Sequence, residues 1–238
     1  MYTVKRKLLS IDVGADRRLK LSRLLAFCQE LSIADTTRLN MGREKTLDKG
    51  LLWVIGKQRY IIHRLPEYDD EISLSSWPGE TLRALFPRYY NILDKEGIAI
   101  DGVAIWSLIN KKSRHYIFAS DYQINIPSEA YGSELPFPRK LIPPRLRNTA
   151  ILDANYSNCD LNGHLNNASY IDFILGLIPI SFIKKNEIKS LEIDYKKEIK
   201  LGQKVAVKYG RSGKDYWFYN EYFTMKLGFS NEKVDYLM

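Results

Sequence analysis

The sequence predicts an α+β chain with antiparallel sheets, and three observations point there. A long segment with helical apolar spacing is followed by several strand-like runs joined by short turns. That order recurs in the second half of the chain. Between the halves lies a proline-rich basic stretch that cannot be helix. Helices followed by hairpin-connected strands, rather than helices alternating with strands, are the pattern of α+β folds. At 238 residues, 45% hydrophobic and 27% charged, the chain is long enough to bury a core without metals or cross-links.

The first helix is expected over 21–39. Leu21, Leu24, Leu25, Cys28 and Leu31 recur at helical spacing, and Ser22 is the expected N-cap. Strands follow over 51–62, 71–77, 82–94 and 98–110, with turns at 66–70 and at Lys95-Glu96-Gly97. The second helix is expected over 167–178, with Tyr170, Phe173, Ile174, Leu177 and Ile178 on one side and Pro179 ending it. Strands at 188–199, 203–211 and 215–228 complete the second half, with Leu201-Gly202 and Ser212-Gly213 as turns. Both helices have an apolar face too wide for a lone surface helix, so each is expected to lie wrapped in its own sheet. A long helix gripped by a curved antiparallel sheet is the hotdog arrangement, and two in tandem make a double hotdog. The expected divisions are a first unit over 1–120, a connector over 121–149 and a second unit over 150–238. The second unit looks short, because after Phe229-Ser230-Asn231 only residues 232–238 remain for a last strand.

Several classes of function are set aside by composition. No apolar run approaches the roughly 20 residues of a membrane span. The first residues lead into no apolar signal core, and two cysteines, Cys28 and Cys159, make no disulfide framework. A cytoplasmic chain is therefore expected. Nothing has the spacing of metal ligands, and no metal or cofactor is expected. The formal charge is +8, which points to an acidic partner: nucleic acid, a membrane surface or an acidic protein. Residues 1–120 hold 20 basic and 14 acidic side chains, and most of the excess lies there. The connector adds Arg139, Lys140, Arg145 and Arg147 with no acid among them. It reads either as a solvated linker or as a docking strip for an anionic surface. Nucleic-acid binding lacks both zinc-ligand spacing and aromatic RNA-binding strand motifs.

One constellation reads as chemistry. In Asp160-Leu161-Asn162-Gly163-His164-Leu165-Asn166-Asn167 polar and apolar residues alternate. If the stretch is extended, Asp160, Asn162, His164 and Asn166 project one way while Leu161 and Leu165 anchor the other face on the core. The second helix then begins, capped by Asn166 or Asn167. Its unpaired backbone N–H groups, those of Asn167 and Ala168, are the kind that stabilise an oxyanion. The competing reading is that the polar residues only make turn and capping hydrogen bonds. The corresponding stretch before the first helix, residues 12–21, has neither histidine nor asparagine, and a purely structural cap should not differ so completely between duplicates. His63 and His115, in basic surroundings, read as solvated or structural.

The run from Asp160 to Asn167 resembles the D-x-N-x-H-x-N-N motif of the acyl-(acyl carrier protein) thioesterases of plants and bacteria. Leu51-Leu52-Trp53-Val54-Ile55, Arg64-Leu65-Pro66 and the run from Ile105 to Arg114 are similar to that family's N-terminal half. Tyr195-Lys196-Lys197-Glu198-Ile199 is similar to its Y-R-R-E-C motif. The resemblance implies a double-hotdog fold and hydrolysis of the thioester between a fatty acyl chain and a carrier protein. It implies Asp160, Asn162, His164 and Glu198 as the catalytic set. Glu198 enters on the resemblance alone, since by itself it reads as a solvated strand carboxylate. Ile199 stands where plant members often have cysteine, so a cysteine nucleophile there is excluded; Cys159 faces away from its neighbour Asp160 if the stretch is extended.

The mechanism expected is direct attack by water, with His164 or Glu198 as general base. The first unit would supply the acyl pocket. The implied partner is an acidic acyl carrier protein bearing a phosphopantetheine-linked acyl chain, with Arg139, Lys140, Arg145 and Arg147 as docking residues, and a homodimer is allowed. An acyl-coenzyme A thioesterase of the same fold and a non-catalytic lipid-binding module are the alternatives.

Overall fold

The computed structural model describes residues 1–122, 124, 126–128, 131–132 and 134–230. Ten antiparallel strands form one continuous sheet in the order β1-β3-β4-β5-β2-β7-β10-β9-β8-β6. The first unit contributes β1 (Tyr2–Lys7), β2 (Leu51–Ile62), β3 (Glu71–Pro78), β4 (Phe86–Asp94) and β5 (Gly97–Asn110). The second contributes β6 (Asn148–Asp153), β7 (Glu187–Tyr195), β8 (Lys204–Ser212), β9 (Asp215–Tyr219) and β10 (Phe223–Ser230). Read outward from the centre, each unit has the same strand sequence, so the sheet is a pseudo-two-fold pair of hotdog units joined through β2 and β7.

The helix α1 (Leu21–Arg38) buries Leu21, Leu24, Leu25, Phe27, Cys28 and Leu31. These sit at the three- and four-residue steps that line one helix face. They pack on Tyr60, Ile62, Ile72, Leu74, Tyr90 and Ile92 of the sheet, in a core continuous with Tyr170, Ile171 and Ile174 of α2 (Ser169–Leu175) and with Leu191 and Ile193 of β7. Each such side chain contributes roughly 1.5–3 kcal/mol on full burial.

The seam between the units is short. β2 pairs with β5 from Leu51 to Ile62 but meets β7 only from Lys57 to Ile61. A register shift between Ile55 and Lys57, at Gly56, separates the two stretches. The first residues of β2 therefore leave the seam and face a cavity described below.

Four local expectations are corrected. Two strands, β1 and β6, went unpredicted. They are six-residue edge strands, β1 alternating half-buried and exposed and β6 burying Leu152 alone, so neither presents a sustained apolar face. The predicted strand 215–228 is a hairpin, β9 and β10. The Asn220 side chain accepts hydrogen bonds from the amides of Tyr222 (2.8 Å) and Phe223 (3.0 Å) and folds the chain back. The second unit thus has five strands by Ser230, as many as the first, and the stretch 232–238 considered for a last strand lies outside the described residues. The second helix spans seven residues rather than twelve, because Gly176 and Pro179 interrupt it; a four-residue helix, α3 (Ile180–Ile183), follows. Ser22 is not the N-cap: it is buried in the first turn of α1, and Lys20 holds the cap position. Among the described residues between Asn110 and Asn148 there is neither helix nor strand, as the prolines require.

Candidate active site

The stretch from Asp160 to His164 is not extended. It is a tight turn in which the Asp160 amide donates to the His164 carbonyl (2.7 Å) and the Gly163 amide to the Asp160 carbonyl (3.0 Å). One Asp160 carboxylate oxygen accepts from the amides of Asn162 (2.8 Å) and His164 (3.2 Å). Gly163 has φ +74° with open space around its missing Cβ, a backbone position that glycine adopts without strain. Alternation of polar and apolar residues suggested a strand, but Asp-x-Asn-Gly is also turn chemistry, and here the turn prevails.

The turn changes where the side chains go. Leu165 is buried in the core, but Leu161 is 92% exposed at the turn tip and anchors nothing. Asn162 is exposed, and its side-chain amide makes no hydrogen bond among the described residues. Asp160 governs its neighbours through their main-chain amides rather than through the imidazole ring.

Glu198 reaches the site from beyond β7. The Leu165 amide donates to the Ile199 carbonyl (2.8 Å), the Leu201 amide donates to the Gly163 carbonyl (2.9 Å), and His164 bridges Lys200. This cross-connection pins the turn beside Glu198. His164 Nε2 and Glu198 Oε2 face each other at 3.5 Å, with side chains 24% and 34% exposed. The separation is longer than a normal hydrogen bond, and both side chains are partly open to solvent. The other Glu198 oxygen, Oε1, lies 2.6 Å from Arg114 of the first unit.

The expected oxyanion donors separate. The Ala168 amide already donates to Asn166 Oδ1 (2.9 Å), so that donor is spent within the turn and the expectation for Ala168 is corrected. The Asn167 amide has no hydrogen-bond acceptor among the described residues. Its carbonyl accepts from Tyr195 Oη (3.3 Å), which also lies 3.3 Å from buried Gln58 of β2. Burial raises the Tyr195 and Tyr170 phenols well above their ordinary value, with the Glu198 charge adding at Tyr170; both therefore stay neutral. Cys159 is displaced upward too, by burial and by the Asp160 charge, which disfavours the thiolate a nucleophile requires.

A cavity of about 290 Å³ opens in the first unit, between the end of α1 and the sheet. Met41, Leu51, Leu52, Trp53, Phe86 and Trp106 supply its apolar lining. Buried Arg88, which pairs with Asp35 at 2.6 Å, also reaches it. The four connector cations Arg139, Lys140, Arg145 and Arg147 are all exposed, and none has an acidic partner among the described residues. The strip is fastened to the sheet where the Leu141 amide donates to Asp194 of β7 (2.9 Å). The Lys196 ammonium is pulled down chiefly by burial and further by the nearby Lys140 charge. His63 pairs with Asp101 at 2.8 Å, far from the turn in sequence and apart from this cluster. Among the described residues no cluster of side chains could hold a metal ion, and no helix is long and apolar enough to cross a membrane.

Two family models match the chain: the acyl-ACP thioesterase N-terminal domain over residues 1–122 and the acyl-ACP thioesterase C-terminal domain over residues 145–232. Among curated proteins, a chloroplastic acyl-[acyl-carrier-protein] hydrolase of Cuphea viscosissima is 24% identical over 206 residues, covering 79% of this chain and 49% of the relative. A chloroplastic palmitoyl-acyl carrier protein thioesterase of Gossypium hirsutum is 23% identical over 214 residues, covering 79% and 50%. The chain thus spans about half the length of the curated relatives it matches. Among solved structures, an acyl-ACP thioesterase from Bacteroides thetaiotaomicron superposes with a TM-score of 0.82 at 21% identity, covering 96% of this chain and 97% of that one. The 12:0-ACP thioesterase from Umbellularia californica does so with a TM-score of 0.79 at 17% identity, covering 97% and 98%. These two share the double-hotdog fold of this chain.

Proposed function

The chain belongs to the acyl-ACP thioesterase family, and from that premise we propose that it hydrolyses the thioester of a fatty acyl chain carried on an acyl carrier protein. The products are the free fatty acid and the carrier thiol. The observation that carries the reading is the facing of His164 Nε2 and Glu198 Oε2 across 3.5 Å, on a turn whose exposed Asn162 side chain makes no hydrogen bond among the described residues.

In this mechanism a water molecule sits to the side of the pair, within hydrogen-bond reach of both His164 Nε2 and Glu198 Oε2. Its oxygen attacks the thioester carbonyl carbon while its proton passes to the His164–Glu198 pair. The Asn162 side-chain amide and the Asn167 N–H hold the developing oxyanion. The C–S bond then breaks, and the proton returned from the pair leaves with the thiol. No covalent acyl-enzyme forms, in keeping with Ile199 beside Glu198 and with the raised Cys159 thiol. Asp160 serves by locking the turn.

The acyl chain occupies the first-unit cavity, whose lining is mainly apolar. Each buried methylene contributes roughly 0.8 kcal/mol, so cavity depth sets the preferred length. The exposed cations of the connector receive the acidic carrier protein.

The test is a free-thiol assay with purified chain on carrier-linked acyl substrates of graded length, run beside the matching coenzyme A esters. Turnover on the carrier esters is expected to exceed that on coenzyme A, and His164→Ala is expected to lower it by about 10²–10⁴ with folding intact. Thiol release no faster than background, or wild-type turnover in His164→Ala, refutes the proposal. Equal turnover on coenzyme A esters transfers it to that substrate class.

A further inference from the structure

The first unit holds none of the four residues proposed to act on the thioester, yet one of its side chains enters their cluster. Arg114 Nη2 lies 2.6 Å from Glu198 Oε1, while Glu198 Oε2 is the atom that faces His164. We propose that Arg114 is a positioning residue for the reaction, holding Glu198 by one oxygen so that the other stays aimed at His164. The inference rests on the thioesterase reading above and goes beyond it by joining the two units in one catalytic arrangement.

An ion pair between partly exposed side chains is often worth little, so the case depends on how Arg114 is held. It sits in the turn that closes β5. The Asn110 side chain accepts from the amides of Lys112 (2.9 Å) and Ser113 (3.0 Å). The Arg114 amide donates to the Asn110 carbonyl, and the Asn110 amide donates to the His115 carbonyl, both at 2.9 Å. The Lys111 amide donates to the Gly50 carbonyl at 2.8 Å, next to the start of β2. Arg114 itself has φ +60°, a left-handed conformation disfavoured for a side chain of this kind. Strain of this sort persists where the surroundings over-determine it, and it clusters at functional sites.

The same turn is tied to the acyl cavity. Leu51, which lines the cavity, pairs with Asn110 in the sheet. Glu198 is thus fastened at one side to the rigid edge of the cavity-bearing unit, and at the other it meets the turn of the second unit. Without Arg114 the carboxylate regains rotamer freedom. A misplacement of about 1 Å in a reacting group costs on the order of 10²-fold in rate.

The experiment compares Arg114→Ala, Arg114→Lys, Glu198→Gln and the Arg114→Ala/Glu198→Gln double variant by steady-state kinetics on a carrier-linked acyl substrate. Arg114→Ala is expected to lower kcat by about 10- to 10²-fold, with KM within about threefold. Arg114→Lys is expected to recover part of the loss, because a cation is restored without the guanidinium fork. The double variant is expected to match Glu198→Gln within about threefold, since the arginine acts only through that carboxylate. Wild-type kcat in Arg114→Ala overturns the proposal, as does a loss confined to KM or a double variant that multiplies the single losses.

A reading that needs no turnover separates this proposal from the thioesterase assignment. Glu198→Gln should shift the NMR resonances of the His164 ring, and that shift should shrink by half or more in the Arg114→Ala background. An undiminished shift overturns the positioning role whether or not the wild-type chain releases thiol.

Discussion

Replacing Asp160 by Asn and by Ala separates two roles that a carboxylate beside a catalytic histidine can play. If Asp160 acts by polarising the imidazole, both changes should be severe. The geometry predicts otherwise. Among the described residues its hydrogen bonds come from the amides of Asn162 and His164, and an asparagine carbonyl can accept the same two bonds. Hydrogen bonds to a charged group contribute about 1.5–3 kcal/mol, neutral ones about 1. With Asn162 exposed and Asp160 half-buried, the low end applies. Asp160→Asn then weakens the closed turn by about 1 kcal/mol over the two bonds, and Asp160→Ala by about 3 kcal/mol. At 1.4 kcal/mol per tenfold, these figures correspond to a fall in the productive turn, and so in kcat, of about fivefold for Asn and about 10² for Ala. The assay is free-thiol release at saturating carrier-linked substrate, with thermal unfolding run on each variant to show that the fold persists. Equal losses in Asn and Ala, each near 10², would refute the turn-locking argument and return the carboxylate charge to the chemistry.

Three further outcomes follow from the same structure. Reversing Arg139, Lys140, Arg145 and Arg147 to glutamate together should raise KM for carrier-linked substrate at least tenfold while kcat stays within about twofold, since removed surface charge acts mainly on encounter; an unchanged KM makes the strip a solvated linker. Met41→Ala deepens the first-unit cavity and should move the preferred acyl chain longer, with roughly fourfold better kcat/KM for each methylene newly buried; a profile across chain lengths that does not move refutes the acyl assignment of that cavity. Cys159→Ser should keep turnover within about twofold, because the thiol is held protonated by burial and by Asp160; a loss above 10² would demand a covalent mechanism.

The predicted elements were legible where the signal is local and repeated. Helix α1 shows its apolar face at three- and four-residue steps, and β2 and β5 are long runs closed by turns, so their bounds in the structure lie within a residue or two of those predicted. Edge strands β1 and β6 were not legible, because a strand paired on one side needs little apolar character. The hairpin at Asn220 was hidden by strand-like residues on both sides; its one signal was an asparagine positioned to accept from the two amides beyond it. Residues 160–164 misled for a related reason. Alternation and Asp-x-Asn-Gly turn chemistry coexist there, and only the long-range pairing with 199–201 selects the turn. Arg114 lay in a basic run and at the end of the stretch that resembles the family's N-terminal half, but neither signal pointed to a contact with Glu198.

By itself the sequence determined which residue types were available and where the chain could bend. Apolar periodicity fixed the α+β class, the prolines of the connector disfavoured helix between the units, and the polar run around His164 marked the stretch that reads as chemistry. Tertiary structure decided what those residues face. The nearness of Glu198 to His164, across 34 positions in sequence, comes from the pairing of Leu165 and Leu201 with their partners across the strand ends. The contact of Arg114 with Glu198 arises because β2 and β7 join the two units into one sheet. Periodicity reports only which way a side chain points within its own element; distances between elements are set by packing and register, and these exist only once the chain has folded.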